Sequence, residues 1–377
     1  MAQTPVEPLF QSLPERPTRL AIVGAYLGRA RFGAAFAQLP LIKVAGVVDS
    51  DARTGRAWAR ELPGKAAFYS TVAALLQAEQ ELDGIVIAGA LADRASGIDA
   101  AVSAGVSVLS EFPYTKTIAQ MDRLFTLADD MNSRILPVRL HRYEAAATAL
   151  NRVLEEGRVG SISRVRCEAS FPLGAAYALE NGVVPVSIDW YDLLQVVAAR
   201  TIDLCQIWLG APESINADID LPHHAALAGR RASDPVANLI ITHARGQSTH
   251  LLRLSRSVQP TERYLLHGQR GSAELVRCDG EKLKSGPTVR IILHGTKPET
   301  VYAADDPASD FAASSANQLT NFADSVRFGS PALQTSTEAR IVMETVQAAF
   351  ASARDGIRTP LPLAEPVDVD GILEGGG

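Results

Sequence analysis

One rhythm constrains this chain more than anything else in it. From Leu20 to Leu140, short apolar runs recur, each separated from the next by a stretch of helical periodicity. The runs are LAIVG (20–24), IKVAGVVD (42–49), AAFY (66–69), GIVIAG (84–89), VSVLSEF (106–112) and RILPVRL (134–140). The first intervening stretch carries Phe32, Ala35, Phe36 and Leu39 along one helical face. Another, DRASGIDAAVSAG, closes on Gly105. Strands that are apolar along their whole length are covered on both faces. Strands alternating with helices mean βαβ units, right-handed crossovers and a parallel sheet. The chain is therefore expected to be α/β, with an N-terminal Rossmann-type, doubly wound parallel sheet.

The rhythm changes after about residue 158. YEAAATALNRVLEEGRVG reads as a long helix leading out of the first domain, SRVRCEASFP as a strand, and SIDWYDLLQVVAARTIDLCQIWLG as helix. From 214 to 303 strands dominate: VANLIITHA, STHLLRLSR, TERYLLHG, SAELVRC and TVRIILHG. Their short connections and alternating faces predict a large open, mostly antiparallel sheet. Helices over about 308–328 and 335–355 close the chain. The expected organisation is a flexible segment over 1–18, a Rossmann domain over 19–142, a C-terminal α/β domain over 143–363, and a loose tail over 364–377. A helix layer covers one face of the second sheet. The other face is then expected to meet a second subunit, giving a homodimer or homotetramer through the C-terminal sheet.

Charge and cysteine usage exclude several classes. A net charge of −6 and the absence of any Lys/Arg run argue against nucleic acid and anionic membrane as partners. No uncharged apolar run reaches about 18 residues, so no membrane span is expected. The N-terminal MAQTPVEPLFQSLPERPTR has no apolar core of a signal peptide. Cys167, Cys205 and Cys278 are scattered, which suits a reducing compartment and supports neither a zinc site nor a disulfide framework. His223 and His224 lack a carboxylate at ligand spacing, so no metal is expected. These features point to a cytoplasmic protein with a small-molecule substrate.

The first strand-to-helix turn, VGAYLGRARF, resembles a degenerate dinucleotide fingerprint. Gly24 is in place, but Tyr26 and Arg29 stand where the second and third glycines belong, and Gly28 lies one residue early. A tight turn at a helix N-terminus suits a pyrophosphate. Asp49 follows Gly24 by 25 residues, where a carboxylate binds ribose hydroxyls and repels a 2′-phosphate. NAD is thereby favoured over NADP, and the nearby Arg53 softens the preference. The alternative for Asp49 is a cap on the next helix. The candidate cofactor set is Gly24, Tyr26, Leu27, Gly28, Asp49, Arg53, Ala88, Glu111, Phe112, Pro113 and Arg142.

In order and spacing, LAIVGAYLG, VAGVVDSD, LDGIVIAG, AVSAGVSVLSEFP, RYEAAATALNRVLEEGRVGSI, TIDLCQIWLGAP, LLHGQRGSAEL and ARIVMETVQAAFASARDGI resemble the Gfo/Idh/MocA oxidoreductase family over nearly the whole chain. The resemblance implies a nicotinamide cofactor and an active site at the cleft between the two domains. It also exposes two departures. The family's Glu-Lys-Pro at the fifth strand is Glu111-Phe112-Pro113, and a phenyl ring neither donates a proton nor polarises a carbonyl. The family's D-x-x-x-H-x-x-D helix keeps its last acid as Asp203, but Arg200 replaces the His and Val196 the first Asp. An arginine stays protonated and is a poor base. Glu-aromatic-Pro also resembles the biliverdin reductases, and the G-A-x-x-G turn resembles the thiazolinyl imine reductases.

Candidates to replace the lost groups follow from position. His141 ends the sixth strand, at the edge where open α/β sheets bind ligands, and is a possible proton donor near neutral pH. Tyr114 is a second possible donor. Asp189 and Arg200 lie eleven residues apart on one helical face, and Arg200 can pair with Asp203 at i,i+3. For each of these a purely structural role stays open. Three readings of function follow. The first is an NAD(P)H-dependent reductase of a C=N or conjugated carbonyl compound. The second is a catalytically silent NAD(P)-binding protein acting through a partner. The third is a sugar or polyol dehydrogenase with relocated groups.

Overall fold

The computed structural model describes residues 16–89, 91–170, 198–219, 236–254, 261–279 and 288–374. Strands β1 (Thr18–Val23), β2 (Ile42–Val48), β3 (Ala67–Tyr69), β4 (Gly84–Ile87), β5 (Ser107–Ser110) and β6 (Ile135–Pro137) form one parallel sheet in the order β3-β2-β1-β4-β5-β6. This is the doubly wound order, with its switch point between β1 and β4. Helices α1 (Ala25–Phe36), α2 (Ala52–Glu61), α3 (Val72–Ala78), α4 (Leu91–Ser103) and α5 (Ile118–Asp130) make the crossovers. Their starts are chemically specified: Asp51, Thr71 and Thr117 each accept a backbone N–H of the first turn they precede. All residues of β4 and β5 are buried, as a sheet covered on both faces requires.

Beyond α6 (Ala145–Glu155), strands β7 (Ile162–Ser170), β8 (Pro212–Ile219), β9 (Val236–His243), β10 (Ser248–Leu254), β11 (Thr261–Gly268), β12 (Gly271–Asp279), β13 (Thr288–Leu293), β14 (Glu299–Ala303) and β15 (Thr359–Pro360) build the second domain. Nine of these strands form one sheet in the order β14-β13-β12-β11-β7-β10-β9-β8-β15. Its pairings are antiparallel except β7 with β10. Helices α7 (Ala199–Leu209) and α9 (Ser336–Asp355) lie on one face, where Val165, Cys167 and Ala169 of β7 are buried. The intervening Arg166 and Glu168, with Asp218, His250, Arg263 and Glu274, line a broad concavity on the opposite face. Among the described residues, no helix is long and apolar enough to cross a membrane.

Two features differ from the sequence expectation. Helix α8 (Pro307–Phe328) follows the second sheet but belongs to the first domain's outer layer. Its Leu319 and Phe322 share a core with Leu20, Ile22, Phe32 and Phe36. The first domain therefore draws on residues far beyond 142. The expected loose tail is also ordered through residue 374. Pro360 and Thr359 pair with Ser214 and Ile215, and helix α10 (Val369–Glu374) buries Val369 and Ile372 in the main core.

Each fully buried aliphatic side chain contributes about 1.5–3 kcal/mol. Truncation after Ala364 is therefore expected to lower the melting temperature by several degrees in a thermal unfolding scan. An unchanged Tm would mean that α10 contributes nothing.

Candidate active site

The cofactor turn rests on one backbone requirement. Gly24 has φ +91°, and its N–H donates to Val48 O at 2.9 Å. A Cβ there would lie 2.8 Å from Gly89 N and 2.9 Å from the Ala88 carbonyl, so the turn presses against the end of β4 and admits only glycine. Gly28 makes no turn. It lies inside α1, where a Cβ would meet Ile22 at 2.9 Å and the Trp58 ring at 3.0 Å, so it lets α1 pack closely on β1 and α2. Tyr26 is 57% exposed and does not fill the turn, and Leu27 is half-buried. Asp49 accepts Ala25 N at 2.7 Å and Asp51 N at 2.8 Å, tying the first N–H of α1 to the end of β2. The helix-capping alternative for Asp49 is overturned, because Asp51 caps α2 through Arg53 N at 3.0 Å. Arg53 is exposed in the first turn of α2.

These residues fit a dinucleotide. The α1 N-terminus and the Gly24 cradle suit its phosphates, and Asp49 its adenosine ribose. The ends of β4 and β5 would face the nicotinamide.

At the end of β5, Glu111 N donates to Ile87 O at 2.9 Å, and its carboxylate pairs with Arg31 of α1 at 2.5 Å. Arg31 was missed in the sequence because an isolated arginine in a helix carries no local signal. The Phe112–Pro113 peptide is cis, and the Pro113 carbonyl accepts Arg94 Nη1 at 3.0 Å. Phe112 is buried. The Arg139 guanidinium lies 3.9 Å from its ring centroid, and Tyr114 meets it edge-on at 5.7 Å. Tyr114 is wholly buried, with its ring also against Phe125 at 6.0 Å. Burial pushes its phenol well above the ordinary range, and its hydroxyl has no partner among the described residues.

The other candidates meet at Asp203. This carboxylate, fully buried on α7, accepts Arg142 Nε and Nη2, Gln334 Nε2 and His141 Nε2, each at 2.7 Å. Burial alone would raise the Asp203 carboxyl, but the bonds from His141 and Arg142 outweigh it and hold the group below the usual carboxylate range. A carboxylate only accepts, so His141 carries its proton on Nε2 and keeps an Nδ1 lone pair. Burial lowers His141 to about 4 against the pull of Asp203, and the charges of Arg139 and Arg200 lower it further. Arg142, expected at the cofactor, is instead committed to Asp203, the Leu333 carbonyl (2.6 Å) and Glu338 (3.3 Å).

The expected Arg200–Asp203 pair does not form. Arg200 donates to Glu262 at 2.8 Å, and Glu262 also takes Arg277 at 2.9 Å and the Tyr264 hydroxyl at 2.6 Å. Arg277 reaches on to Glu144. Burial raises Glu262, and Arg200 and Arg277 bring it down to about 2. Arg200 is thus part of a structural ion network. Asp189 lies outside the described residues.

His141 sets a pH dependence of stability. Its folded pKa, about 4, is below the ordinary 6.5, so between these values the unfolded chain binds a proton that the folded chain refuses. Stability from this group is present above pH 6.5 and lost as pH falls towards 4, by roughly 3 kcal/mol. Urea unfolding at pH 6.5 and pH 4 is expected to show the wild type losing about that much more than His141→Gln.

Residues 18–138 match the model of the Gfo/Idh/MocA oxidoreductase family, described by its NAD-binding Rossmann fold. The chain is 25% identical over 176 residues to YhhX of Escherichia coli strain K12, an uncharacterised oxidoreductase, and spans 46% of that protein's length. It is 24% identical over 328 residues to D-apiose dehydrogenase of Paraburkholderia graminis, covering 83% of this chain and 82% of the relative. The WlbA dehydrogenase of Bordetella pertussis, solved with NADH and UDP-GlcNAcA, superposes with a TM-score of 0.74 at 19% identity, over 93% of this chain and 100% of WlbA. The likeness to WlbA is one of fold. The match to the Gfo/Idh/MocA family model covers residues 18–138, and the likeness over the rest of the chain is one of fold.

Proposed function

We propose that this oxidoreductase moves a hydride between a nicotinamide and an alcohol or carbonyl carbon, with His141 carrying the proton and Asp203 orienting it. The observation that carries this reading is the buried 2.7 Å bond between His141 Nε2 and Asp203. A nicotinamide bound along the turn at Gly24 supplies or accepts the hydride. The chain's own part is proton handling. Asp203 fixes the His141 tautomer and leaves Nδ1 free to take a hydroxyl proton during oxidation. The same carboxylate then stabilises the imidazolium, which returns the proton in the reverse direction. The family's helix position for this group is Arg200, whose charge is engaged by Glu262. The proton group has moved to the end of β6 while its carboxylate stayed on α7.

Reduction of a C=N or conjugated carbonyl bond is a second reading. Phe112 favours it, since its apolar ring stands where a lysine would polarise an oxygen. The placement of Asp49 favours NAD over NADP. The open, charged face of the nine-stranded sheet suits a homodimer or homotetramer, and sedimentation velocity of the purified chain tests this.

His141→Gln is expected to lower kcat roughly 100-fold or more, the scale of general acid–base catalysis, on a panel of hydroxy and keto substrates. NADH affinity, measured by fluorescence titration, should stay within about twofold of wild type. Undiminished turnover in the variant would overturn the assignment. Tight NADH binding by the wild type without turnover on any alcohol, imine or enone would favour the silent reading.

A further inference from the structure

We propose that Arg139 anchors a carboxylate-binding subsite beside the nicotinamide position, so that the substrate is a small hydroxy acid or its keto counterpart. The inference rests on the hydride-transfer reading above for the word substrate, and on geometry alone for the subsite.

Arg139 follows β6 at the carboxyl edge of the parallel sheet, where ligands of open α/β folds bind. Its neighbours Val138 and Leu140 are buried in the core beneath α1 and α8, while its own side chain lies over Phe112. The backbone is fixed on both sides: Val138 N donates to Ser110 O at 2.7 Å and Arg139 N to Gln318 Oε1 at 3.2 Å. The residue is only 6% exposed.

The arginines around it have acceptors. Arg142 holds Asp203, Arg200 and Arg277 hold Glu262, Arg94 holds two carbonyls and Arg31 holds Glu111. Among the described residues, Arg139 Nε and Nη2 have none. These two N–H groups share one edge of the guanidinium, the edge that grips a carboxylate side-on. Arg142 uses that same edge on Asp203 Oδ2 and Oδ1, both at 2.7 Å. The hydroxyl of Tyr114 also lacks a partner among the described residues. Three buried polar atoms with unmade hydrogen bonds thus belong to the two residues whose side chains meet the Phe112 ring.

A guanidinium does not shed its proton, so its charge stays in place when buried. The stack on Phe112 offsets part of the desolvation through the ring's negative face. A carboxylate supplies what remains, a bidentate acceptor and a counter-charge. A neutral sugar hydroxyl supplies neither. The same event feeds the chemistry: Arg139 is one of the charges that hold His141 down, so an anion bound there makes His141 a stronger base when substrate is present.

The test uses malonate as the carboxylate probe and malonamide as its neutral match, with thermal shift and calorimetric titration on the full chain. Malonate is expected to raise the Tm of the wild type, and malonamide to leave it unchanged. Arg139→Gln is expected to weaken malonate binding roughly tenfold or more, as loss of a charge-assisted pair does. Arg139→Lys should fall between them. Without malonate, Arg139→Gln should melt no lower than wild type, because it removes a buried charge whose Nε and Nη2 have no acceptor among the described residues. Equal shifts with malonamide, undiminished malonate binding in Arg139→Gln, or a Tm of ligand-free Arg139→Gln well below wild type would overturn the subsite. His141→Gln should keep the malonate shift. Arg139-dependent malonate binding without turnover of any hydroxy or keto acid would leave the subsite standing and overturn only the hydride-transfer reading.

Discussion

Asp203 has no exposed surface, and a bare carboxylate in that position would be among the most unfavourable groups in the molecule. Four N–H donors at 2.7 Å make it tenable, and they arrive from two separate parts of the chain. Arg142 and His141 end the parallel sheet, Gln334 precedes α9, and Asp203 itself lies on α7 of the second domain. The bond set therefore fixes how the edge of the first sheet meets the helices of the second. Removing one partner of such a pair strands the other, at a cost of about 3–5 kcal/mol. Because His141 and Arg139 flank the same short turn, their positions follow from this one anchorage.

A second ion network repeats the logic a few residues along α7. Arg200 points to β11 and meets Glu262, which shares Arg277 with Glu144 at the start of α6. Two carboxylates and two guanidinium groups balance there, with Tyr264 filling the remaining acceptor capacity. Every residue from Ala199 to Gln206 is buried, so each charged side chain on this helix needs a partner from a neighbouring element. Asp203 and Arg200 each find one in opposite directions. That is why the i,i+3 spacing between them, a fair guide on a solvated helix, fails on a helix wedged between two sheets.

What the sequence made legible was whatever depends on short-range periodicity. Six short, largely apolar runs named the parallel strands, and Gly24 marked the tight turn after β1. Partners distant in sequence were not legible. Nothing in RLHRY says that Arg142 will clamp Asp203 and leave the cofactor, nor that Arg31 will pair with Glu111. The last segment was misread for a related reason: its Pro and acidic residues look like a tail, while Val369 and Ile372 are buried only because α9 offers a surface. One signal for Arg139 was present. It sits between Val138 and Leu140, just past β6, where the chain leaves the parallel sheet.

Set beside the pattern the sequence resembles, Phe112 and Arg200 go with a different distribution of charge around Asp203. A lysine at position 112 would place a cation at the end of β5; here the cation comes from Arg139, just past β6, and lies across the Phe112 ring. An arginine stacked over a lysine would be repelled by it, whereas the phenyl ring offers the guanidinium a face. A histidine at position 200 would share α7 with Asp203; here the imidazole reaches Asp203 from the end of the neighbouring sheet. His141 is held down by burial and by two guanidinium groups, against one carboxylate that raises it. Asp203 is fixed by four bonds and Arg200 by Glu262, so neither can vary when a ligand enters. Burial is the larger influence on His141, and Arg139, whose Nε and Nη2 have no acceptor among the described residues, adds to it.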